Sequence, residues 1–227
     1  MTTLTLAPMD LAALLCSRVC HDVISPVGAI VNGLEVLEDE KDGEMRNFAL
    51  ELIKKSANSA SARLQFCRLA FGAAGSAGAS VDTGDAEAVA RGLIGNERTQ
   101  LTWNAPRQFA PKNKVKLTLN LCQIAFSAIP RGGVITVDMT GADEALEVTV
   151  EAKGANARLA HGIVELIRGA PENGNVDAHT IQAFYAGLVG RDCGLSVEVT
   201  VEPERIVLSA RHSPAGQTDL AGAGLGP

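Results

Sequence analysis

From about residue 10 to 38 the apolar positions recur at helical spacing. Cys16, Cys20, Val23, Val27, Ile30, Leu34 and Leu37 advance in alternating steps of four and three. At about 100° per residue they make one apolar seam. His21, Ser25, Gly28, Asn32 and Glu35 fall within about 40° of the histidine, nearly opposite that seam. The pattern predicts one amphipathic helix, roughly 43 Å long at about 1.5 Å per residue. A polar turn over 39–43 ends in glycine. From 44 to about 71 the 3/4 spacing returns in Met45, Phe48, Ala49, Leu52, Ser56, Ser59, Ala60, Arg63, Cys67 and Ala70. Two helices of similar length with a short turn predict an antiparallel hairpin. One such pair cannot cover its own apolar face. Two pairs can, so the expected assembly is a homodimer closed as a four-helix bundle.

The register adds a second expectation. If paired positions sum to about 82, His21 lies beside Ser61, and the facing stretch is Ser56-Ala57-Asn58-Ser59-Ala60-Ser61-Ala62. Small side chains then flank the histidine from both helices. Plain helix packing is one explanation. Gly28 and Gly33 point to another, close approach of a partner, because a glycine inside a helix costs roughly 1 kcal/mol against alanine.

Beyond 72–80, a Gly/Ala/Ser stretch read as a linker, the pattern changes. Segments 85–97, 113–128, 158–168 and 177–191 read as helices. Segments 100–105, 134–139, 145–152, 195–201 and 205–211 read as strands, several with period-two alternation. The fold class is therefore α+β. A short arm over 1–9 and a helical hairpin over 10–71 come first. An α/β sandwich over 81–212 follows, a mixed sheet with helices on one face. Gly, Ala and Pro dominate 213–227, expected to be a disordered tail.

Composition narrows the function classes. The 227 residues carry 46% hydrophobic but only 4% aromatic side chains, so the core must be Ala, Leu, Val and Ile. Net charge is −6 and no basic run occurs, which argues against a nucleic-acid ligand. No uninterrupted apolar stretch approaches about 20 residues, so no membrane span is expected. The N-terminus lacks the pattern of a signal peptide. Five cysteines without a C-x-x-C pair suit a reducing cytoplasm. Cys16 and Cys20, one turn apart on the seam, are read as buried free thiols rather than metal ligands.

The candidate chemistry sits in Cys20-His21-Asp22-Val23-Ile24-Ser25-Pro26. A neutral imidazole nitrogen is a competent nucleophile toward a phosphoryl group. Asp22 is placed to accept from Nδ1–H, orienting Nε2 outward and stabilising positive charge on the ring. Ser25 and Arg18, each one turn away, can donate to phosphoryl oxygens and neutralise their charge. Pro26 removes the i+4 donor of the Asp22 carbonyl and predicts a loosened turn. Leu14, Gly28 and Asn32 complete the expected contact stripe. His161 and His179 lie in predicted helices with no acid or cysteine at ligand spacing, and they and His212 read as ordinary surface or partly buried residues.

The His-Asp-x-x-Ser-Pro run on a long helix resembles the phosphoacceptor hairpin of sensor histidine kinases. The C-terminal half resembles their ATP-binding domain, with the nucleotide contacts replaced. Ile124 stands at the place of the magnesium-binding Asn and Ala152 at that of the adenine-reading Asp. Asn156 replaces a glycine, and 178–182 replaces a glycine-rich box without one. Together with Gly33-Leu34-Glu35-Val36-Leu37-Glu38-Asp39, Leu69-Ala70-Phe71-Gly72-Ala73 and Ala152-Lys153-Gly154, the chain resembles the ChpT-type histidine phosphotransferases of alphaproteobacteria. The resemblance implies a dimeric phosphorelay intermediate that binds no ATP, with His21 as the phosphorylated residue. The expected donor is the receiver domain of a CckA-type hybrid histidine kinase, and the acceptors are CtrA-type and CpdR-type response regulators. Mg²⁺ would come with the receiver, and this chain would hold no cofactor or metal. An active kinase and a non-catalytic receiver-docking module are the competing readings.

Overall fold

A computed structural model describes residues 3–72 and 80–212. Most of the sequence-read linker and all of the expected tail lie outside these residues. Helix α1 spans Pro8–Asp39 and α2 spans Gly43–Ala70. Proline at the first turn, where an N–H has no helical partner, lets α1 start two residues before the apolar pattern does. The helix runs through Pro26, which is buried. Asp42 caps α2 by accepting the Glu44 N–H at 3.1 Å. The Arg46 guanidinium closes the turn by donating to the carbonyls of Leu37 and Glu40.

The two glycines of α1 have different reasons. A Cβ on Gly33 would lie 2.7 Å from Ile53 Cγ1, so packing against α2 itself excludes a side chain there. A Cβ on Gly28 would meet nothing within 4 Å. Only Pro26 and Gly33 of α1 are buried. The line facing α2 is therefore about a quarter-turn away from the seam. Ile24, Val27, Val31 and Leu34 on α1 are exposed, as are Met45, Phe48 and Leu64 on α2. Cys16 and Cys20 are also exposed, which corrects the expectation of buried thiols: the seam that carries them turns away from α2. By length and composition alone α1 could cross a membrane. Here it is held against α2 and, through Leu11, Leu14 and Leu15, against the core of the second domain.

The second domain runs β1 (Ser80–Asp82), α3 (Thr83–Ile94), β2 (Thr99–Trp103), β3 (Phe109–Pro111), α4 (Lys112–Ala128), β4 (Gly133–Thr140), β5 (Glu147–Lys153), α5 (Ile163–Arg168), α6 (Ile181–Asp192), β6 (Leu195–Glu202) and β7 (Arg205–His212). Five strands form one mixed sheet in the order β2-β4-β5-β7-β6, parallel only between β2 and β4. Period-two alternation puts Ile135, Val137, Val148, Val150, Ile206 and Leu208 on one buried face beneath the helices. Burying each such side chain is worth about 1.5–3 kcal/mol. β1 and β3 add a separate two-stranded ribbon that has no counterpart among the expected strands. Three-residue strands are too short to show a period.

Hairpin and domain share one core. Phe66 and Ala70 of α2 belong to the buried cluster that also holds α4, α6 and the sheet. The Asn120 amide, fully buried, donates to the Ala70 carbonyl at 3.1 Å and to Lys116 at 2.8 Å. On the other limb of the hairpin, just ahead of α1, the Leu4 N–H donates to the Gly169 carbonyl at 2.7 Å.

Candidate functional site

His21 stands on the exposed side of α1, two helical turns after Leu14 and one before Ser25, with 60% of its side chain open to solvent. Ser25, Gly28, Asn32 and Glu35 are exposed along the same stripe. Because Gly28 has no side chain and no described residue comes within 4 Å of where its Cβ would be, the backbone on this side of α1 is open to contact. Leu14 is different: it packs partly buried against the core of the second domain.

Asp22 follows directly in the chain and points around the helix. Its Oδ1 lies 3.4 Å from His21 Nδ1 and its Oδ2 accepts from Arg18 Nε at 2.9 Å. A carboxylate can only accept, so a hydrogen bond at this contact requires the proton on Nδ1. That tautomer leaves the lone pair on Nε2, the nitrogen away from the acid. Arg18 and Asp22 are largely covered, with side-chain exposures of 16% and 18%. Arg18 is thus turned to the acid rather than outward. Its Nη1 reaches the carbonyl of His179 at 3.4 Å.

Asp22 also lines a small cleft with Arg63 and Cys67 of α2. This places α2 near residue 63 at the level of the histidine, close to the expected register. The Cys67 thiol is pushed up to about 11, first by burial and then by the Asp22 carboxylate. It stays protonated, so it is no competing nucleophile.

The second domain meets this arrangement through the turn before α6. The His179 ring lies edge-on to His21, with centroids 4.9 Å apart and planes at 81°. Asp177 fixes that turn: its Oδ1 accepts from the N–H of His179 and of Thr180, both at 2.9 Å, and from Thr180 Oγ1 at 2.8 Å. Sequence alone reads His179 as an ordinary residue, because its contact with His21 joins distant parts of the chain. The other two histidines stay apart, His161 near Glu172 at 3.7 Å and His212 against the Glu144 carbonyl at 2.9 Å.

A cavity of about 170 Å³ opens beside His179. It is walled by Ile124 and Ala128 of α4, Arg158 to Ala160, and Gln182, with Arg18 at its rim. Ile124 and Ala152 are buried. Asn156 keeps a left-handed backbone at φ 59°, which asparagine tolerates better than most residues. Gly154 is a packing glycine: a Cβ there would lie 2.4 Å from the Gly132 carbonyl. Among the described residues no group of three or more His, Cys, Asp or Glu side chains could hold a metal ion.

Known proteins are similar to this chain in both sequence and fold. The family described as "Histidine phosphotransferase C-terminal domain" matches residues 83–205. The "Protein phosphotransferase ChpT" of Brucella abortus (strain 2308) is 48% identical over 206 residues, covering 91% of this chain and 97% of that protein. A solved structure titled "1.7 Angstrom Structure of a Bacterial Phosphotransferase" superposes with a TM-score of 0.84 at 45% identity, over 92% of this chain and all of the other. Sequence and overall fold thus agree along nearly the full length of these relatives, and the chain belongs to the ChpT-type histidine phosphotransferases, protein phosphotransferases of a phosphorelay.

Proposed function

We propose that His21 is the residue that carries the phosphoryl group. It takes the group from the phosphoaspartate of a receiver domain of a CckA-type hybrid histidine kinase and hands it to receivers of CtrA-type and CpdR-type response regulators. The observation that carries this reading is the pairing of an open His21 ring with an Asp22 carboxylate on its Nδ1 side. The Nε2 lone pair attacks phosphorus. The N–P bond forms as the bond from phosphorus to the receiver's carboxylate oxygen breaks, and the carboxylate leaves with the electron pair. The ring, still holding its Nδ1 proton, gains positive charge beside Asp22. Transfer onward is the reverse of these events. Positioning and charge neutralisation supply most of such catalysis. Mg²⁺ comes with the receiver's acidic pocket.

The reading needs no ATP. The Asn120 amide is committed to two backbone carbonyls. Apolar Ile124 and Ala152 occupy the positions where the kinase-like pattern has an Asn and an Asp. The 170 Å³ cavity falls below the roughly 300–1,000 Å³ of ordinary small-molecule sites. The exposed apolar face, with Leu34 48% and Phe48 67% exposed, supports a homodimer that buries it as a four-helix bundle. Such a protein works in the cytoplasm, where receivers reside.

The test is transfer from a radiolabelled phosphorylated receiver. An acid-labile, base-stable adduct is expected on this chain and absent from His21→Ala. Transfer that survives His21→Ala overturns the assignment. A wild-type chain that binds receivers but never takes the label would make it a docking module instead.

A further inference from the structure

The contact between His179 and His21 joins residues far apart in the chain and on different domains. Three observations make it more than a chance meeting. The His179 backbone is pinned, because the Asp177 carboxylate accepts from its N–H and from Thr180 at 2.8–2.9 Å. Its carbonyl accepts from Arg18, whose Nε holds Asp22, whose other oxygen faces His21 Nδ1. Its ring closes the same loop from the other side, edge-on to the His21 imidazole. Residue 179 thus reaches the histidine–aspartate pair by two routes, indirectly from its carbonyl through Arg18 and directly through its ring.

An isolated histidine on a helix samples several χ1 and χ2 wells. Only some of them keep Nδ1 toward Asp22 and Nε2 free. Here the His179 ring packs edge-on against the His21 ring at 4.9 Å, a contact that any large rotation of His21 has to give up, and the Arg18 bridge holds the carboxylate it faces. We propose that His179 is a positioning residue for phosphoryl transfer at His21: its ring and its carbonyl together hold the His21–Asp22 pair in the orientation that presents Nε2. This rests on the reading of His21 as the phosphoryl carrier. On this view the second domain acts on the chemistry by bracing the nucleophile. Holding a reacting group in an attack-ready geometry is a large source of rate, and a displacement of about 1 Å can cost about 10²-fold.

The experiment uses the full chain, the phosphorylated receiver of a CckA-type hybrid kinase as donor, and the variants His179→Ala and His179→Phe. His179 is exposed, so neither change should disturb folding. In single-turnover measurements, His179→Ala is expected to lower the maximal transfer rate about tenfold. The half-saturating receiver concentration should stay within about twofold of wild type. His179→Phe, which keeps a flat ring edge and the carbonyl, should restore the rate to within about twofold. In ¹⁵N spectra of the imidazoles, His21 should show the Nδ1–H tautomer in wild type and His179→Phe, and averaged nitrogen shifts in His179→Ala. A wild-type rate in His179→Ala overturns the proposal. So does a defect confined to half-saturation, or a defect that phenylalanine leaves in place. The spectra report on His21 orientation whether or not His21 takes the label. A failure of the carrier reading would therefore appear as absent transfer in wild type, separately from any change in tautomer.

Discussion

Asn120 reaches across from α4 and donates to the carbonyl of Ala70, in the last turn of α2, at 3.1 Å. That carbonyl lies where a helix runs out of its own donors. The asparagine supplies one while its second amide hydrogen serves Lys116. Hairpin and sheet domain are thereby joined by a buried polar contact as well as by the Phe66 and Ala70 packing. Asn120→Ala would leave a buried acceptor without a partner and cost about 1–3 kcal/mol. Chemical denaturation should show that loss. It should also show a shallower, less cooperative transition if the two parts then melt separately.

The two α1 glycines should respond in opposite directions to alanine. Gly28→Ala meets open space and should raise stability by up to about 1 kcal/mol through helix propensity alone. Gly33→Ala drives a methyl to 2.7 Å from Ile53 and should lower it. Thermal melts of the two variants check the signs. A bulky Gly28→Leu should fold normally yet weaken receiver binding, because it fills the open stripe beside His21.

The exposed seam leads to an assembly test. Leu34→Glu combined with Phe48→Glu places charge on the face assigned to the dimer and should give monomers in analytical ultracentrifugation. Thiol labelling offers an independent reading. Near pH 8, Cys16 and Cys20 should react in the monomeric variant and be shielded in the dimer. Cys67 and Cys122, which burial pushes up to about 11 and about 12, should stay unreactive in both.

Asp22→Asn keeps the shape beside His21 but removes the charge that faces Nδ1 and anchors Arg18. Transfer should slow by about 10–100-fold with receiver affinity little changed. Quench-flow kinetics with a phosphorylated receiver separate the two quantities.

Asp177 supplies a pH dependence with a definite sign. The Thr180 hydroxyl and the N–H groups of Thr180 and His179 hold its carboxyl below the ordinary 3.8. A group with a depressed folded value stabilises fully above its unfolded value and loses that contribution as pH falls through the folded one. The stability gap between wild type and Asp177→Ala should therefore be constant from about pH 6 upward and shrink below 3.8. Urea titrations at several pH values measure it. The same variant should loosen His179 and disturb the His21 contact.

Much of this molecule was legible in local pattern, and what escaped is physically specific. The 3/4 spacing located both hairpin helices, and period-two alternation located the five strands of the main sheet. Helix starts were less legible. The expected helix over 158–168 begins only at Ile163, after Gly162 takes a left-handed backbone at φ 80°. The one over 177–191 begins at Ile181, because Asp177 forms a side-chain-capped turn instead. The wheel placed His21, Ser25, Gly28 and Asn32 on one stripe and Asp22 beside the ring. It assigned Arg18 to an incoming phosphate, whereas the side chain turns to Asp22 and His179. That contact spans 161 positions, and no periodicity reports on it. Gly33 and Gly28 look alike in sequence, and only the position of Ile53 separates them.

The main-chain bond from Leu4 to Gly169 and the Asn120 bond to Ala70 anchor both limbs of the hairpin to the same sheet domain. A stem clamped at both feet has little freedom to swing, slide or scissor. Whatever message such a molecule passes on must then be written in chemistry rather than posture, as the presence or absence of a single bond at its surface.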